Sequence, residues 1–151
     1  VSASLRVRRT ASRVVLALLS ALYLCGVWHL TLRARPYGDE IAGLVERVVA
    51  WLARRDATSW ITFDVVEFGA NVAMFAPLGV FAVLWFGARR WWLAPPLGLA
   101  LSGIIEGAQY LFLDTRIADV RDLVANTAGA LAGALLMLLL AFLLTVPSRQ
   151  R

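Results

Sequence analysis

Apolar residues in this chain come in four long runs separated by charged or proline-bearing stretches, and that alternation predicts four helices crossing a bilayer. A spanning helix needs about 20 mostly apolar residues. The runs cover about 14–32, 65–86, 93–113 and 122–146. Arg6, Arg8, Arg9 and Arg13 precede the first, which is longer than the about 7–15 apolar residues of a signal peptide and reads as a retained helix. Pro77 lies inside the second, so a kink is expected where its ring removes a backbone donor. Arg89, Arg90, Trp91 and Trp92 suit a membrane interface, and Pro95-Pro96 suit a first helical turn. Between the first two runs, Ile41, Leu44, Val45, Val48, Val49 and Leu52 recur at helical spacing. An amphipathic helix over about 39–55, lying on the membrane surface, is expected there. The expected fold class is therefore all-α: a polytopic membrane protein with four transmembrane helices plus one amphipathic interfacial helix, forming a single domain over 1–151.

Composition agrees. Hydrophobic residues are 60% of the 151, against roughly 45–50% in an average soluble chain. All fifteen basic side chains are Arg, and they cluster at the ends of the apolar runs rather than in a stripe, so nucleic acid is not an expected partner. The Arg residues divide almost evenly between the two faces, and the basic N-terminus decides the orientation. Both termini are expected on the cytoplasmic side of a bacterial cytoplasmic membrane. With one Cys and one His, a mechanism that needs a Cys–His pair or a multi-His metal site is nearly excluded, and no cofactor is expected.

Against this background the polar residues inside the runs need a reason, because an ionisable group at mid-membrane costs roughly 2.5–3.5 kcal/mol on insertion scales. Glu67 and Asn71 share a face early in the second run. Ser102, Glu106 and Gln109 share one late in the third. Asp122 and Asn126 share one early in the fourth, with Asp119 a turn before and Arg116 in the preceding loop. Up-and-down helices would bring these stripes to one level at the outer face. Each residue also has a structural explanation. Asp122 can start a helix, Arg116 can pair with Asp119 or Glu106, and the two Asn residues can clamp helices together. Gly103-x3-Gly107 and Gly129-x3-Gly133 have the spacing that permits close helix contact in lipid.

Two blocks carry a family resemblance. Glu67-Phe68-Gly69-Ala70-Asn71 through Phe75-Ala76-Pro77-Leu78-Gly79 is one. Ser102-x3-Glu106-x2-Gln109, then Arg116-x2-Asp119-x2-Asp122-x3-Asn126-Thr127-x-Gly129-x3-Gly133, is the other. Together, over roughly 64–136, they resemble the VanZ-like family of bacterial membrane proteins, whose founding member is associated with low-level teicoplanin resistance. The resemblance implies the fold more firmly than the chemistry.

Three functions follow as alternatives. The leading one is a polar outer pocket built from Glu67, Asn71, Ser102, Glu106, Gln109, Arg116, Asp119, Asp122 and Asn126. It would bind an amphiphilic envelope ligand, either a lipid-linked precursor or a lipoglycopeptide such as teicoplanin, with membrane lipids as surroundings. The second is an intramembrane enzyme, metal-assisted or using one carboxylate as base, although no established catalytic motif is present. The third is a scaffold or subunit whose polar cluster only clamps helices.

Overall fold

In the computed structural model, residues 2–32, 39–113 and 119–145 are described, with side chains over 10–32, 43–113 and 119–145. Every element among them is helical: α1 (Ser2–Thr31), α2 (Asp39–Leu52), α3 (Phe63–Phe86), a 3-10 turn (Ala88–Leu93), α4 (Ala94–Phe112) and α5 (Val120–Thr145). α3 begins at Thr62, whose side chain accepts from the Val65 N–H, and runs through Pro77 without a break. It stops at Gly87, where φ is +84°, a value a side chain would strain against; the Gly87 N–H closes the last turn on the Val83 carbonyl. Pro95 and Pro96 open α4, where their missing donors cost nothing.

Three helices are long and apolar enough to cross a membrane: Thr10–Thr31, Phe63–Phe86 and Val120–Thr145. α4 falls short because Ser102, Glu106 and Gln109 lower its average, yet all three are buried. Its outward positions include Leu97, Leu99, Ile104, Leu111 and Phe112, all exposed. The segment expected at 93–113 is thus a helix of nearly those bounds, with its polar face turned into the protein.

The distribution of residues is inverted relative to a protein in water. The buried set is mostly small: Ala82, Ala94, Ala125, Ala130 and Ala134, with Phe75 the bulkiest. Large apolar side chains such as Leu18, Leu22, Phe142 and Leu144 face outward. An exposed apolar girdle of this extent needs a non-aqueous surround.

The most extensive helix contact is between α3 and α5, followed by α4 on α5. Glycines make the first possible. A Cβ added at Gly129 would meet the Val72 carbonyl, one at Gly133 the Ala76 carbonyl, and one at Gly79 the Ala130 carbonyl. The 129/133 pair is therefore the close-contact stripe its spacing predicted. The 103/107 pair is not: both residues sit on the outward face of α4 with open space where a Cβ would go. Spacing alone cannot say which side of a helix finds a neighbour.

α1 is attached more sparsely. Val27 is its one buried residue among those with described side chains, packed with Phe75 and Ile105. Hydrogen bonds do the remaining work: Tyr23 Oη donates to the Met74 carbonyl at 2.9 Å, and Trp85 Nε1 to Ser20 Oγ at 3.1 Å. α2 touches α3 lightly and leaves Leu44, Val48 and Trp51 exposed, with the Arg55 guanidinium 3.6 Å above the Trp51 ring. The amphipathic element is thus three residues shorter than the expected 39–55, the remainder forming a turn.

Candidate functional site

Four helix ends meet around one cavity of about 90 Å³. Leu30 and Thr31 come from the end of α1, Glu67, Asn71 and Met74 from the first half of α3, Ile105, Glu106 and Gln109 from the end of α4, and Asp122 and Asn126 from the start of α5. Ends and starts lie at one level only if the four helices alternate in direction. The convergence of polar stripes read from spacing is therefore present in the fold.

On α3, Asn71 Nδ2 donates to Asp122 Oδ1 of α5 at 2.7 Å. A bond to a carboxylate is stronger than a neutral one, about 1.5–3 kcal/mol. On α4, Ser102, Glu106 and Gln109 are all more than nine-tenths buried. Gln109 Nε2 donates to the Thr31 carbonyl at 2.8 Å, tying the end of α4 to the end of α1. Glu106 Oε2 accepts from the backbone N–H of Asp119 at 3.2 Å. On α5, Asn126 Nδ2 donates to Ser102 Oγ at 2.8 Å.

The other end of that last side chain is the anomaly of the site. Asn126 is 5% exposed, and its Oδ1 is buried without a hydrogen-bond donor among the described residues. A buried acceptor left unmatched costs about 1–3 kcal/mol. Native interiors rarely tolerate this without a reason, such as an ion, a water or a ligand.

Of the nine sequence-predicted site residues, six line the cavity: Glu67, Asn71, Glu106, Gln109, Asp122 and Asn126. Ser102 lies one step behind, reaching the site through Asn126. The exposed Asp119 does not line the cavity. Its carboxylate accepts from the Arg121 N–H at 2.8 Å, capping the start of α5. Asp119 is thus the residue that caps α5, while Asp122 stands in its first turn, as expected of a residue that starts the helix, and accepts from Asn71. Arg116 lies outside the described residues, and its pairing with Asp119 or Glu106 lies there with it.

Two features were not anticipated. The Thr31 carbonyl has no side-chain signature, so nothing in the sequence marks it as an acceptor. Arg121 Nη1 contacts Asp64 Oδ2 at 3.1 Å across the starts of α5 and α3. That pair was findable, since both residues begin helices expected at the same face. Both side chains are more than half exposed, so the pair adds little stability.

Chemically the cavity offers carboxylates, carboxamides and a backbone carbonyl. Among the described residues no group of three or more His, Cys, Asp or Glu is placed to hold a metal ion. The arrangement can accept hydrogen bonds from hydroxyl or ammonium groups, and its carboxamides can donate.

No curated protein and no solved structure matches the chain. The family model described as VanZ/LLP1 matches residues 18–142, reaching beyond the two polar blocks to take in the later part of α1, all of α2 and nearly all of α5. Three helices apolar enough to span, a girdle of exposed Leu, Val and Phe, and this match lead to one conclusion: the chain is a membrane protein belonging to the VanZ-like family.

Proposed function

We propose that the protein binds the polar head of an amphiphilic envelope molecule in the cavity between the ends of α1 and α4 and the starts of α3 and α5. The observation that carries this reading is the buried, unmatched Oδ1 of Asn126 beside a cavity large enough for several heavy atoms. A helix clamp alone would have no use for it. The ligand class is a lipid-linked envelope precursor or a lipoglycopeptide of the teicoplanin type, both rich in hydroxyl and amide groups. Arg116, in the segment joining α4 to α5, would supply a cation for phosphate or carboxylate.

In this reading α4 also spans, third of four in chain order, because its polar face is inside and its outward face is apolar. The Arg-rich N-terminus then puts both termini in the cytoplasm and the cavity at the outer face of the cytoplasmic membrane. Ser59→Cys in a Cys25→Ala background should be labelled from outside intact cells by an impermeant thiol reagent. Labelling only after permeabilisation would move the cavity to the cytoplasm.

Binding is tested by native mass spectrometry of the gently purified protein. Wild type should retain an envelope amphiphile, while Glu106→Gln and Asn126→Leu should lose it with folded yield kept. Glu106→Gln preserves an acceptor for the Asp119 N–H, removes the charge and turns the other oxygen into a donor. Retention unchanged in both variants, or a matching fall in folded yield, would return the cluster to a purely structural role.

A further inference from the structure

Directly beside the polar cavity lies a larger apolar groove of about 290 Å³ between α1 and α4, lined by Leu24, Cys25, Val27, Trp28, Leu101 and Ile105. Ile105 belongs to the walls of both, so the two spaces share a boundary. Their order along the helices is the informative part. On α1 the groove residues run 24–28 and the cavity residues follow at 30–31; on α4 the groove spans 101–105 and the cavity 105–109. At 1.5 Å rise per residue the two sites together extend about 10–12 Å along the helix axes. The polar end is at the helix ends and the apolar end is toward their middles. That is the polarity of a lipid in one leaflet.

We infer that this groove holds the hydrocarbon chain of the amphiphile whose head occupies the Asn126 cavity, and that the ligand enters sideways from the bilayer between α1 and α4. The inference rests on the reading of the cavity as a head-group site. The α1–α4 seam suits such entry. Its floor is Val27, packed on Phe75 and Ile105, and its polar tie is the Gln109–Thr31 bond at the outer end. The exposed face of Trp28 and the exposed Cys25 leave the groove open to acyl chains along its length. A molecule with one chain suits this single groove, with the head supplying selectivity and the chain holding the molecule in place.

The test uses full-length protein in detergent with lysophosphatidylethanolamine as probe, a single-chain lipid whose head carries hydroxyl and ammonium donors. Thermal stabilisation is titrated for wild type, for Cys25→Trp, which fills the groove from an exposed position, and for Asn126→Leu, which removes the head contact. Apparent affinity should fall at least tenfold in each variant, and a diazirine on the probe's chain should label 24–28 and 101–105. Loss in Asn126→Leu with Cys25→Trp unaffected overturns the groove and leaves the head-group site standing. No loss in either, or no stabilisation of wild type, overturns both. Loss in Cys25→Trp alone shows a hydrocarbon slot without head recognition and overturns the joined site.

Discussion

The α3–α5 interface and the α1–α4 seam are built on opposite principles. The first is glycine against backbone, with carbonyls seated where side chains would otherwise be. The second is one hydrogen bond, from Gln109 to the Thr31 carbonyl, beside an apolar groove with one buried residue on the α1 side among the described residues. Lipid is as apolar as leucine, so helices in it gain little from burying apolar surface and associate through close packing and polar contacts. The glycine interface exploits the first to fix Asn71 against Asp122. The seam relies on the second, and gives up packing where a ligand would need room.

The largest expected effect breaks the tight side of this comparison. Gly133→Leu places a side chain where the Ala76 carbonyl sits, and α3 must leave α5. Overpacking costs about 1–3 kcal/mol even where side chains can yield; against backbone the expected result is loss of monodisperse protein on size exclusion. Asn71→Leu comes next, removing a charge-assisted bond of about 1.5–3 kcal/mol and lowering the melting temperature in proportion. Gln109→Leu acts on the loose side. It removes one bond to a helix-end carbonyl, about 0.5–1.5 kcal/mol, so a small melting shift is expected. Should it match Gly133→Leu in severity, the seam is as rigid as the core and lateral entry is lost. Smallest are Gly103→Leu and Gly107→Leu, which point into open space and should stay within about 0.5 kcal/mol of wild type.

Much of this was legible in the chain. Polar residues at i, i+4 and i+7 have one economical explanation in an apolar helix, an inward face, and Glu67, Asn71, Glu106, Gln109, Asp122 and Asn126 do line one cavity. Periodicity gives a face but not the neighbour on that face. Hence Gly103 and Gly107 were read as contacts although they face outward, and the capping of α5 by Asp119 was not anticipated. The contribution of α1 was invisible for a different reason: a backbone carbonyl at Thr31 and a groove of Leu, Val and Trp leave no compositional trace. Their meaning comes only from what stands opposite.

The inward polar face of α4 also bears on how the protein reaches its membrane. Ser102 meets its partner on α5, Glu106 takes the N–H that precedes α5, and Gln109 bonds to α1. On the four-span reading, α4 leaves the ribosome before α5 exists, with two of these three groups still lacking the contacts that will bury them. It is less apolar than the three helices long and apolar enough to span, and it is joined to α3 by Gly87 and the short 3-10 turn Ala88–Leu93. Translocon insertion of α4 is then a delayed event, completed when α5 arrives. A glycosylation-mapping assay should find α4 inserting poorly by itself and well when α3 and α5 flank it.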